Sequence, residues 1–490
     1  MDKNFKKNIL KGSLATSIGT LSGMLFQFLT VMLVVRYVTK NEMGMYALIM
    51  VVVNMFSLLG GLGLELTMVK SIASSKVEEN KDILIPILVL RALGAFVFSI
   101  VFLLAGKFIL HFFDDHLSLY LIYVPIIFVL ANFRDLFYNL LQGLNRFRQY
   151  SVVNVVSSFF RVLVVLLFIY FDKMNIETLL IIEILATLQP LVHQIFIIPF
   201  KKYFEMKPTI SSFVKIIKFS TPLYLNNLFV FINGRINIFM IGAYLSPANV
   251  ASFSVASNIP MALKKIFSSF IIVYFPNLAK LFSEGDKKTA ESFINKSLSI
   301  FSLVMTILVL FSFIFKNEII ILLYSQKYLD SALVAALLIF NFHIRGMADL
   351  MGYSFTPAGH PSVPAKVNFI ASIISAAASL VTIPIFGVIG AAYALIFMNL
   401  VSFTLFYLHL IKYKIQLQLL ELFKPILVLA IILIIYFFID SEYLILKIAF
   451  IILFFVLQGI FINEFREIIK GMLAQLLKLK NNFITNLKKH

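Results

Sequence analysis

The chain has 490 residues, of which 60% are hydrophobic and only 13% charged, and its mean hydropathy is +0.96. A soluble domain carries about a quarter charged residues, so these figures exclude a water-soluble globule and leave a polytopic membrane protein. Cysteine is absent, which excludes disulfides, thiolate metal sites and cysteine nucleophiles; Trp is absent too, so an interfacial aromatic belt would rest on the 19 Tyr.

The basic start MDKNFKKNILKGS leads into an apolar run that continues to about Val38. That run is too long for a signal-peptide core and no small-residue cleavage site follows, so it reads as an uncleaved first span. A membrane helix needs roughly 20 apolar residues. Fourteen spans are predicted, at 13–38, 44–69, 83–106, 119–144, 149–171, 177–199, 213–244, 249–275, 293–315, 331–356, 363–385, 388–411, 425–439 and 443–462. With the N-terminus inside, the outer segments hold only Arg36, Lys40, Lys107, Lys173, Lys316 and Lys327, and most of the 42 Lys and Arg fall in cytoplasmic segments. That asymmetry satisfies the positive-inside rule and puts both ends in the cytoplasm. The net charge of +18 belongs mostly to this topology and to attraction for anionic membrane lipids. No extramembrane segment is long enough for a nucleic-acid-binding domain.

The chain also repeats internally. At an offset of 207, LKGSLATS (10–17) lies over IKFSTPLY (217–224), and RYVTKNEMGMYAL (36–48) over AYLSPANVASFSV (243–255). At an offset of 214, Asp135 meets Asp349 and Asn154 meets Asn368. The expected fold is therefore all-α, with two six-helix lobes related by a pseudo-twofold axis: an N-terminal lobe (1–200) and a C-terminal lobe (201–412). Two peripheral helices and a basic tail (413–490) follow, and a transport site is expected between the halves. The segment FPNLAKLFSEGDKKTAESFINKSLS after the eighth span reads either as a short interfacial amphipathic helix, with Leu278, Leu281 and Phe282 on one face, or as a solvated connector. Pro125, Pro190, Pro222 and Pro260 are placed to bend spans. GTLSG (19–23), GGLG (60–63) and ASIISAAAS (371–379) allow close helix contacts.

Charges inside the spans carry the functional signal. The cations are Arg91, Arg134, Arg161, Arg235, Lys264, Lys265, Arg345 and Lys447; the acids at similar depth are Glu65, Asp135, Glu183 and Asp349. Each charge at a helix centre costs about 2.5–3.5 kcal/mol unless paired or hydrated. Lys264 and Lys265 sit roughly 15 Å from the cytoplasmic end of their helix, beyond the reach of a snorkelling stem. Lys447 is close enough to an end to snorkel, and Arg91 reads as structural. For the arginines, pairing with a carboxylate competes with a cavity role. Arg345 and Asp349 can meet at i, i+4, whereas adjacent Arg134 and Asp135 point apart. Deep cations outnumber deep acids, so Arg161, Arg235, Lys264, Lys265, Arg345 and Arg134 are the candidate lining of a positive cavity for an anionic cargo such as a phosphate. Glu65, Asp349, Asp135 and Glu183 are candidate coupling or gating acids, which would take up H⁺ or Na⁺ or else counter a nearby arginine. In the outer loop, His111, Asp114, Asp115 and His116 form a cluster that reads as a metal site or as solvated residues.

VVRYVTKNEMGMYALIMVVVNMFSLLGGLGLELTMVKSIA, with Arg36, Glu42, Gly44, Tyr46 and Gly60 to Gly63, resembles the first helix pair of lipid-linked oligosaccharide flippases of the multidrug/oligosaccharidyl-lipid/polysaccharide exporter superfamily. QGLNRFRQYS (142–151), FPNLAKLFSEGD (275–286) and IPIFGVIGAAYA (383–394) are similar to that family's inter-helix motifs. The resemblance covers essentially the whole chain. It implies a V-shaped two-lobe flippase, not an enzyme, in the bacterial cytoplasmic membrane. The implied cargo is an undecaprenyl-pyrophosphate-linked glycan held in a cation-lined cavity and moved by alternating access on an ion gradient, with polysaccharide polymerase and chain-length machinery as partners. Residues 13–35 lack the cavity arginine of the lipid II branch and the acid of the drug-exporting branch. Those two remain the alternatives, the antiporter requiring a net acidic cavity. A polysaccharide polymerase or ligase would need long outer loops, and those near 107–118 and 316–330 are short.

Overall fold

The computed structural model describes residues 3–74, 81–200, 209–360, 362–439, 443–462, 465–467 and 470, and the regular elements among them are helical. In chain order they are α1 (Lys3–Tyr37), α2 (Lys40–Gly61), α3 (Leu64–Ser74), α4 (Lys81–His111), α5 (Tyr123–Gly143), α6 (Phe147–Tyr170), α7 (Ile176–Ile197), α8 (Ile210–Tyr244), α9 (Pro247–Ser283), α10 (Lys287–Ile314), α11 (Lys316–Leu323), α12 (Ala332–Phe355), α13 (Ser362–Lys412), α14 (Leu419–Ile439) and α15 (Leu444–Phe461). Each predicted span has its helix. The second is split into α2 and α3, while the eleventh and twelfth share α13, whose two arms fold back at Gly387 (φ 60°, ψ −140°). Thr382 Oγ1 donates to the Gly390 carbonyl at 2.7 Å across that reversal.

Local chemistry explains the boundaries. Thr39 caps α2 in a reciprocal box with Glu42, and Asn175 caps α7 through the Thr178 N–H at 2.9 Å. The α2–α3 break lies at Leu62 and Gly63, both at positive φ. A Cβ on Gly63 would stand 2.8 Å from Ser220 O and Tyr224 N of α8, so the glycine permits both the bend and the close approach. Pro190, Pro222 and Pro260 lie inside α7, α8 and α9 as expected. Pro125 does not bend its helix. It sits in the first turn of α5, where the missing N–H would have no partner anyway. Nor is 275–283 a separate interfacial helix. It is the end of α9, with Leu278 fully buried and Leu281 and Phe282 packed on the core, before a turn at Gly285 (φ 75°).

The chain forms two compact units. The first comprises Met1–Asn258, Ile320–Ser331 and Ser375–Ala391; the second comprises Ile259–Ile319, Ala332–Ile374 and Ala392–His490. These limits differ from the sequence halves because α8 packs on α2, α3 and α4. In the first unit α1 packs on α6, with Gly19 against Ser151 and Gly23 against Asn154. Ser379 donates to Asn237 Oδ1 at 2.9 Å, tying α13 to α8. In the second unit α10 packs on α12 and α14. Several buried polar groups of its core pair internally: Tyr274 with Ser354 at 2.8 Å, Asn399 with Asn341 at 2.7 Å, and Ser302 with His343 at 3.1 Å. Helices α14 and α15 keep most of their residues turned outward, as do α4, α6 and α13.

Candidate functional site

In the first unit three arginines are held by carboxylates. Arg161 pairs with Glu183, which is 5% exposed, and the Tyr46 hydroxyl joins them by donating to Glu183 Oε2 at 2.7 Å and accepting from Arg161 at 3.2 Å. Arg91, 1% exposed, binds Glu65 at 2.6 Å and the Asn132 carbonyl at 3.0 and 3.1 Å. Arg134 reaches its sequence neighbour Asp135 at 2.8 Å and touches Thr187 Oγ1 at 3.4 Å. The expectation that these adjacent side chains point apart is corrected: Cβ directions diverge on a helix, but the long arginine stem swings across the gap.

Arg235 is different. It has no ion pair or hydrogen bond among the described residues, and it lines a cavity of about 240 Å³ with Glu65, Arg91, Asn132, Asp135 and Phe231. Of the four arginines Arg91, Arg134, Arg161 and Arg235, only Arg235 has no carboxylate partner among the described residues, and it lies on the cavity wall.

In the second unit Arg345 Nε stands 3.5 Å from Asp349, a looser contact between groups 37% and 29% exposed. Lys264 lies within electrostatic range of both, and its ammonium has no ion pair or hydrogen bond among the described residues. Lys265 follows it on α9 and is exposed. Lys447 does not snorkel; it is 7% exposed and pairs with Glu318, because α11 brings a carboxylate to the start of α15. In the connection between α4 and α5, His111 Nδ1 pairs with Asp115 at 2.9 Å, while Asp114 accepts the His116 N–H at 2.9 Å.

Of the candidate cations, the structure thus places Arg235 on a cavity, Arg134 and Arg161 in ion pairs, and Lys264 beside Arg345. Each candidate acid has an arginine partner. Sequence reasoning missed the Tyr46 hydroxyl, and it missed Asn54, Ser57 and Asn132 as cavity walls. The run Asn132–Phe133–Arg134–Asp135 inside a span was the available signal.

A family described as "Polysaccharide biosynthesis protein" matches residues 9–282. Among curated proteins, none matches the chain. Among solved structures the chain is similar to the lipid II flippase MurJ in an inward closed conformation, with TM-score 0.72, 15% identity, and coverage of 93% of this chain and 100% of that one. It is similar to an inward-facing multidrug resistance MATE family transporter of the MOP superfamily, with TM-score 0.68, 13% identity and coverage of 81% and 99%. A MOP superfamily transporter from Pyrococcus furiosus, described as having a binding pocket of reverse polarity, matches with TM-score 0.56, 14% identity and coverage of 84% and 96%. At these identities the likeness establishes the fold alone, an all-helical one shared with these membrane proteins.

Proposed function

Because the chain belongs to the polysaccharide biosynthesis protein family, we propose that it is a flippase moving a polyprenyl-pyrophosphate-linked glycan from the cytoplasmic to the outer leaflet of a bacterial cytoplasmic membrane. The observation that carries this reading is the sign and pairing of the deep charges. Glu65, Asp135 and Glu183 are paired with Arg91, Arg134 and Arg161, while Arg235 in one unit and Lys264 in the other have no ion pair among the described residues. Leaving cations unpaired at membrane depth is costly, and an anionic passenger repays that cost. Lysine binds a diphosphate as a point charge and arginine as a fork. Arg235, Lys264, Lys265 and Arg345 are assigned to the cargo, and Arg134 and Arg161 to holding helices together. The cycle gives alternating access to the two leaflets and is driven by an H⁺ or Na⁺ gradient, with Glu65 and Asp349 the coupling acids. The glycan is then handed to polymerase and chain-length machinery, and no covalent bond changes during transfer.

A second reading has support as well. The fold likeness to a lipid II flippase favours a peptidoglycan precursor, which would present its own charged groups to the same cations. Against a cation-drug antiporter stands the surplus of positive charge.

The test is Lys264→Gln combined with Lys265→Gln. The double variant is expected to insert normally and to lose surface polysaccharide in the producing cell. Wild-type export would remove these lysines from the mechanism. Loss of viability rather than of surface glycan would favour the peptidoglycan precursor.

A further inference from the structure

Six cations are expected on the outer segments, against the positive-inside tendency, and three of them meet in one place. Arg36, in the last turn of α1, donates from Nη2 to the Leu322 carbonyl in the last turn of α11 at 2.6 Å. Lys327 reaches the opposite way, its ammonium donating to the carbonyls of Arg36 at 3.1 Å and Val38 at 2.6 Å. Open carbonyls at the end of each helix are thus met by a cation from the other stretch of chain. Lys40 pairs with Asp330 at 2.5 Å, and Ser252 Oγ donates to the same carboxylate oxygen at 2.9 Å. Lys40 and Lys327 also lie over the Tyr328 ring, 5.9 and 5.8 Å from its centroid. Residues 320–331 form a strap: they cluster with the first unit, whereas the chain up to Ile319 and from Ala332 belongs to the second. The strap is held in two ways. Tyr324 and Tyr328 are fully buried, Tyr324 edge-on to Phe28 of α1 at 6.4 Å. The polar contacts are open to water, with the Lys40 and Asp330 side chains 24% and 51% exposed. The Tyr328 hydroxyl has no hydrogen-bond partner among the described residues, a cost that water would relieve on release.

We propose that residues 320–331 are a releasable clasp, and that their detachment from the ends of α1 and α2 is the step that opens the transporter toward the exterior. The clasp rests on the flippase reading for what passes, and it adds which contacts must break. Half-exposed ion pairs and cation–carbonyl bonds are individually weak, because water replaces each partner as it leaves. A permanent staple is built differently: the Glu65–Arg91 pair leaves its arginine only 1% exposed. The buried rings of Tyr324 and Tyr328 give the strap one seat, so it returns to the same register when it closes. Because the strap continues at both ends into chain of the second unit, a displacement of that chain pulls directly on these contacts. An element held by weak polar contacts around a specific apolar seat has two discrete states rather than a continuum. The cations at 36, 40 and 327 thereby have a reason to stand on the side where positive charge is disfavoured.

The chain has no cysteine, so pairs can be introduced without background labelling. In the purified full chain in lipid nanodiscs, spin labels on Asn41→Cys and Gln326→Cys, both at exposed positions, report the clasp as an EPR distance. A short and a longer distance are expected. Asp330→Asn is expected to raise the ratio of long to short about two- to fivefold, as loss of a half-exposed ion pair should, and Arg36→Gln to shift it in the same direction. A single distance that neither variant changes overturns the proposal. In producing cells, Lys40→Cys with Asp330→Cys is bridged by a short, reducible bis-methanethiosulfonate tether, and bridging is scored by loss of maleimide labelling. Tethering is expected to stop export of surface polysaccharide, and reductant to restore it. Failure to bridge overturns the contact, and export that continues through a bridged clasp overturns its role in transport. The distance measurement needs neither cargo nor transport, so it decides the clasp even where glycan export is absent before tethering; that absence would count against the flippase reading alone.

Discussion

Glu183→Gln probes the division between cations that hold the fold and cations that meet cargo. Glu183 is 5% exposed and takes contacts from both Arg161 and Tyr46, so the substitution leaves the guanidinium with a neutral partner. Breaking one side of a buried ion pair costs about 3–5 kcal/mol. The Arg161 side chain is 28% exposed and keeps part of its hydration, which lowers the expectation to about 2–3 kcal/mol. At about 2 °C per kcal/mol for a cooperative unit of about 250 residues, the melting temperature should fall by about 4–6 °C. With no Trp in the chain, helical circular dichroism in detergent is the suitable probe. Combining Arg161→Gln with Glu183→Gln removes both charges and should recover most of the loss while export continues. An unchanged melting temperature for the single variant would refute the energetic argument. A double variant that melts normally but exports nothing would return Arg161 to the cargo site.

Three further expectations follow from local geometry. Gly44→Ala would place a Cβ 1.7 Å from the Pro247 carbonyl oxygen, a backbone atom no rotamer change can move, so a loss of at least about 1–3 kcal/mol in thermal melts is expected. Gly234→Ala, where nothing among the described residues lies within 4 Å, should be neutral or slightly stabilising in the same melts. The Asp286 cap of α10 should be pH-sensitive. Hydrogen bonds from Thr289, side chain and backbone, hold its carboxyl below the usual value. A depressed carboxylate contributes fully above its unfolded value of 3.8, and that contribution is lost as pH falls through the lower folded value. Amide exchange in the first turn of α10 should quicken relative to the helix interior over that acid window, and Asp286→Asn should flatten the response. An identical pH profile in the variant would show that another group is responsible.

Much of the architecture was legible in one dimension because bilayer thickness sets the length of an apolar run. Every predicted span has a helix near its expected limits, and the α2 cap at Thr39 and Glu42 is written in neighbouring residues. The surplus of deep positive charge was equally plain, since it needs only a count. The fates of individual charges were not readable. Arg345 and Asp349 share a helix face, so their meeting could be foreseen. Glu65 with Arg91, Glu183 with Arg161 and Glu318 with Lys447 join different helices, and their pairing depends on how each helix is rotated and where it crosses its neighbour. The cavity around Arg235 likewise exists because the break at Leu62 and Gly63 lets α8 approach the junction of α2 and α3. Composition and hydropathy decided that this chain crosses a membrane with unbalanced positive charge inside it; only packing decided which of those charges found partners, because a contact between helices is a property of their mutual orientation and not of either sequence segment.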